Sequence, residues 1–106
     1  MKRAMFLAAV LGGVAFSSGA LAVLDGKKLY SEKTCNACHG PLGNKALMPD
    51  YPKVAGQNKA YMVKQMQDIK SGTRANGNSA AMKGVMHLVS DAEIEAIADY
   101  VSKLKP

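Results

Sequence analysis

The chain has 106 residues, 48% of them hydrophobic, with 14 basic and 8 acidic side chains and a net charge of +6. This length allows one small domain and excludes a large multi-domain enzyme. The lysines are spread along the chain rather than gathered in a tract, which argues against a nucleic-acid partner and for weak docking to acidic surfaces.

The first element in chain order is MKRAMFLAAVLGGVAFSSGALA. Lys2 and Arg3 precede an uncharged apolar run from Met5 to Phe16, and Ala20-Leu21-Ala22 closes it as an A-x-A-like site. The pattern predicts a secretory signal peptide over residues 1–22, because the apolar core falls short of the roughly 20 residues that span a bilayer. Residues 23–106 are then the functional domain, and its expected place is the periplasm. Lys2 and Arg3 leave with the leader, so 12 of the 14 basic residues face the 8 acidic ones and the net charge falls to +4. The leader also carries both phenylalanines, and the chain has no Trp, so the only aromatics left are Tyr30, Tyr51, Tyr61 and Tyr100. A domain this small, with so few large side chains, needs a disulfide, a metal or a cofactor to complete its core.

Asp25 can cap a first helix over residues 25–37, with Leu29 and Tyr30 on its inner face. That helix runs into KTCNACHGP, where Cys35, Cys38 and His39 fall within five residues. Four chemistries use such a cluster. A redox dithiol of the thioredoxin kind needs a strand-to-helix setting, and nothing in this chain reads as a strand. A zinc site takes four Cys or His ligands, and His87 is the one further candidate. A disulfide across two residues would be strained and would leave His39 unused. C-x-x-C-H as a c-type haem attachment site uses all three residues: two thiols one helical turn apart become tethers, and the adjacent imidazole binds iron.

Residues 46–56 contain Pro49, Pro52 and Gly56 and are expected to form an irregular loop. Asn58 opens a second helix that Gly72 ends after Ser71, with Met62, Met66 and Ile69 at helical spacing. A loop containing Met82, Met86 and His87 follows and supplies the candidates for a sixth iron ligand; a methionine there raises the reduction potential by favouring Fe(II). Ser90-Asp91-Ala92-Glu93 is a capping box for the last helix, whose apolar stripe is Ile94, Ile97, Ala98, Val101 and Leu104. The expected fold is all-α: three or more helices wrapped around one covalently bound haem.

The segments DGKKLYSEKTCNACHG, MPDYPKVAGQNKAYMVKQMQDIKSGTR and SAAMKGVMHLVSDAEIEAIADYVSKL together resemble the small class I (monohaem) cytochromes c of bacteria. The resemblance spans nearly all of residues 23–106. It implies haem c held by Cys35 and Cys38, with iron bound by His39 and by Met82, which stands eight residues before the Ser90 cap. It further implies that the Pro49 carbonyl accepts a hydrogen bond from His39, and that Gly26 and Tyr30 cross Ile97 and Tyr100. Gln57, Tyr61 and Arg74 would lie near the haem edge. The segment PLGNKALMP departs from the family pattern by adding Met48 near Pro49, which is expected to pack the loop. The implied function is one-electron transfer rather than catalysis, between respiratory or dehydrogenase donors and a terminal oxidase or reductase. The partners would be redox proteins with acidic docking surfaces. Two rival functions stay open: a haem subunit of a sulfide- or alcohol-oxidising dehydrogenase, and a ligand-binding haem sensor or peroxidase.

Overall fold

A computed structural model describes residues 24–106; the expected signal peptide lies outside the described residues. Five helices follow in order: α1 (Gly26–Glu32), α2 (Cys35–His39), α3 (Lys59–Ser71), α4 (Ser79–Met86) and α5 (Asp91–Ser102). No strand occurs among the described residues, and none of their helices is long and apolar enough to cross a membrane.

The helix starts follow their sequence signals. Asp25 accepts from the Lys28 amide, Asn58 from the Tyr61 amide, and Ser90 and Glu93 make both bonds of the capping box. The Ser90 amide, more than any other group, holds the Glu93 carboxyl below its ordinary range, with Lys33 adding to the effect. Gly72, at φ +85°, ends α3 in the left-handed region that a Cβ disfavours.

Two elements differ from expectation. The first predicted helix is two, because Thr34 adopts φ +63° between α1 and α2. A β-branched residue there costs about 1–2 kcal/mol, and the break turns the C-x-x-C-H segment out of line with α1. The methionine segment is the helix α4 rather than a loop, so Met82 and Met86 stand one turn apart on the same face.

The core is built mainly from α1, α3 and α5. Leu29 and Tyr30, then Met62, Met66 and Ile69, then Ile94, Ile97, Ala98 and Val101 are buried together, joined by Met86 and Val89. Leu104 is only partly buried and lies past the end of α5. α5 packs on both α1 and α3, α4 packs on α3, and α2 packs on α1. The α1–α5 crossing is close: a Cβ on Gly26 would lie 2.8 Å from the Tyr100 Cβ and would run into the Ala96 carbonyl. Tyr30 and Tyr100 meet edge to face beside it, with ring centroids 5.9 Å apart.

The loop after α2 is irregular, as its prolines and glycines predict. The Gly43 carbonyl accepts from the amides of both Val54 and Ala55, and the Gly56 amide donates to Val101, so the loop folds back and fastens onto the end of α5. Met48 does not pack this loop; it is exposed, as are Leu42 and Leu47.

Candidate haem site

α2 carries the attachment motif. Cys35 and Cys38 are free thiols, half-buried and one turn apart. Burial pushes the Cys35 thiol up to about 11, with Cys38 adding to the shift. A thiol held protonated at neutral pH is a poor redox nucleophile, which weighs against a cycling dithiol. Among the described residues, no group of three His, Cys, Asp or Glu side chains is arranged to hold a metal ion, which leaves the zinc reading without a ligand set.

α2 is fixed from two sides. The Tyr30 hydroxyl, buried in the core, donates to the Gly40 carbonyl just past the motif, and the Leu47 amide donates to the Cys38 carbonyl. Burial pushes the Tyr30 phenol up to about 12, with Cys35 and Tyr100 contributing, so the group stays a donor at physiological pH. Gly40 sits at φ +86°, and a Cβ there would collide with the Lys45 carbonyl, so only glycine lets the chain turn this tightly after His39.

His39 Nδ1 lies 2.9 Å from the Pro52 carbonyl oxygen. A carbonyl only accepts, so Nδ1 carries the proton and Nε2 keeps the lone pair that a metal uses. This corrects the assignment of that acceptor to Pro49. The Tyr51 amide bonds back to the Met48 carbonyl, which closes a turn that leaves Pro49 exposed and delivers Pro52 to the imidazole. The signal was present in the chain, since Pro52 opens the P-x-x-A-G-Q run.

Cys35, Cys38 and His39 line one wall of a cavity of about 290 Å³. Met82 and Met86 line it from α4, while Met66, Ile69, Val89 and Ile97 supply apolar surface. The α2 and α4 backbones are not packed against each other, so the motif and the two methionines occupy different walls. Arg74, Asn76, Asn78 and Asp50 contribute polar groups to the lining. Arg74 is held by the Gln65 side chain at 3.0 Å. His87 is exposed and does not line the cavity, nor do Gln57 and Tyr61.

The donor chemistry fits haem. The cavity is predominantly apolar and near the lower end of the roughly 300–1,000 Å³ common for ligand sites. It offers two thiols at thioether spacing, an imidazole with Nε2 available, and a thioether from another helix. The fold and this site define a small all-α protein that holds a tethered haem for electron transfer.

The cytochrome c family profile matches residues 23–105, and the chain belongs to that family, whose cofactor is covalently bound haem c with its iron. It is similar to cytochrome c4 of Azotobacter vinelandii, with 39% identity over 89% of this chain and 45% of the relative. It is also 34% identical to cytochrome c-553 of Nitratidesulfovibrio vulgaris, over 98% of this chain and all of that protein. A further relative, 38% identical over 69% of this chain and 32% of its own length, is the thiosulfate dehydrogenase electron acceptor of Thiomonas intermedia. The crystal structure of reduced cytochrome c4 from Pseudomonas stutzeri superposes with a TM-score of 0.66 at 34% identity, over 76% of this chain and 46% of that one. The chain thus spans about half the length of its cytochrome c4 relatives and the full length of cytochrome c-553.

Proposed function

We propose that this electron-carrier cytochrome is a monohaem, periplasmic one-electron shuttle whose iron is bound by His39 and Met82. Residues 1–22 would direct export, and 23–106 would form the single haem domain. The observation that carries the reading is one apolar cavity that receives the only C-x-x-C-H motif of the chain and, from a separate helix, Met82.

Each residue has a role in that reading. Cys35 and Cys38 tether the haem, which supplies the one-electron couple when bound. His39 donates through Nε2 while Pro52 fixes its tautomer and orientation. The buried apolar lining from α3, α4 and α5 keeps water from the iron, which holds reorganisation small on electron transfer. With His39 and Met82 both committed to the haem iron no open position would be left for substrate, so the protein would carry electrons rather than act as an enzyme. Carbon monoxide tests this: the reduced wild-type protein should bind none at neutral pH. Ready binding would favour the ligand-sensing or peroxidase reading.

Lysine pairing supports acidic partners. Among the described residues Lys28, Lys33, Lys59, Lys64, Lys70 and Lys103 all have acidic neighbours within 4 Å. Lys27, Lys45, Lys53, Lys83 and Lys105 have none, and of these Lys45, Lys53 and Lys83 sit on the segments that build the cavity walls. The exposed Leu42, Leu47 and Met48 lie on the same loop. A donor of the dehydrogenase class is supported by the relative named as the electron acceptor of thiosulfate dehydrogenase. That name equally supports a haem subunit resident on such an enzyme. For a steered encounter, the rate of electron exchange with an acidic partner falls severalfold between about 0.05 and 0.5 M salt, as screening shortens to a few ångström. A flat salt response discards steering by these lysines.

A further inference from the structure

Asn78 stands at the N-cap of α4, a position where an asparagine side chain ordinarily accepts from its own helix. Here it makes no such bond. Its Nδ2 donates instead to the Asp50 carboxylate, 28 residues earlier in the chain. Both residues line the haem cavity. Among the described residues this is the one hydrogen bond that joins the proline loop, residues 46–57, to the stretch from Arg74 to Val89.

The two ends of that bond sit beside the two axial supports. Asp50 is two residues before Pro52, whose carbonyl holds His39. Asn78 is one helical turn before Met82 and shares its face of α4. Elsewhere the loop is fastened to Gly43, to α5 and, through Leu47 and Pro52, to α2, while α4 is packed on α3, so no other hydrogen bond ties the loop to the α4 wall.

We propose that Asp50 and Asn78 form a latch across the cavity mouth, positioning residues that keep α4, and with it Met82, closed against the loop that orients His39. The charge on Asp50 strengthens the bond, and exposure of both residues limits its net worth. The inference rests on Met82 as the sixth ligand. Its consequence is kinetic: opening the latch lets α4 lift more often and exposes the iron to outside ligands.

The test is the rate at which imidazole displaces the sixth ligand of the oxidised haem protein, which is gated by departure of the Met82 sulfur. Asn78→Ala and Asp50→Ala should each speed displacement about two- to fivefold, the change expected when a partly exposed hydrogen bond is lost. The double variant should be no faster than the faster single one, because both remove the same contact. Asp50→Asn keeps an acceptor oxygen and should restore most of the wild-type rate. Ser102→Ala, which removes a hydrogen bond at the far end of α5, should leave the rate unchanged and serves as the control for general destabilisation. Wild-type rates in both single variants, or effects that add in the double, would overturn the latch. Met82→Ala run alongside separates the two ideas. Ungated imidazole binding there with unchanged Asn78→Ala kinetics removes the latch alone; gated displacement there removes Met82 ligation and the latch with it.

Discussion

Changing both Cys35 and Cys38 to alanine should leave a polypeptide band with no haem-dependent peroxidase stain after denaturing electrophoresis. Each single variant retains one tether and should stain, and the double retains none. Haem on the double-variant band would overturn the attachment role of α2. The larger expected effect is on folding. A cavity of about 290 Å³ lies among the apolar side chains of α3, α4 and α5. Without haem those apolar side chains face water through the open mouth of the cavity, and the burial lost weighs heavily against the roughly 4–12 kcal/mol that holds a domain of this length together. The haem-free double variant should therefore lose its sharp thermal transition and melt broadly, measured by circular dichroism against the wild-type holoprotein. A sharp, wild-type-like transition without haem would show that the helices complete their core alone.

The expected dependence on cofactor is visible in composition alone: residues 23–106 contain no Phe and no Trp. The parts of the fold that were equally legible are those encoded by contiguous residues. Ser90 and Glu93 cap α5 through their own side chains, and Met62, Met66 and Ile69 recur every three or four residues, so local spacing alone fixes which face turns inward. The break between α1 and α2 was not legible, because Thr34 has no chemical preference for φ +63°. The position is imposed by tertiary packing: Tyr30 must reach Gly40 while α1 lies against α5. α4 is a similar case. Gly77 and Asn78 just before it and Gly84 within it give the stretch around Ser79–Met86 the composition of a loop, and packing on α3 makes it a helix.

Within the site, the three residues of the motif could be read directly because they act within one helical turn. The acceptor for His39 could not, since Pro49 and Pro52 lie three residues apart in the same loop. The choice between them is made by the turn that the Tyr51 amide closes onto Met48. Asp50 and Asn78 carried no signal at all, being ordinary polar residues whose pairing exists only once the loop and α4 face each other. Sequence periodicity reports on single elements, and a site assembled from a loop and two helices is written in contacts that no window of residues contains.

Met82→Ala should convert the low-spin spectrum of the haem protein to one with an open sixth position, and the reduced form should then bind carbon monoxide stoichiometrically. The midpoint potential should fall by a measurable part of the roughly 0.8 V that axial ligands span, because a thioether stabilises Fe(II) and its replacements in water do not. The competing assignment is Met86, one turn further along the same face and lining the same cavity. Burial separates the two. Met86 is 3% exposed and belongs to the core with Val89 and Ile97, whereas Met82 is only partly buried and packs against that core from outside. Met86→Ala should consequently cost about 2–5 kcal/mol of stability through the cavity it leaves while the low-spin spectrum persists. Met82→Ala should do the reverse, losing the spectrum at a smaller cost in packing. If the Met82 variant keeps a normal low-spin spectrum and the Met86 variant loses it, the sixth ligand is Met86, and α4 must be read as presenting its second turn, not its first, to the iron.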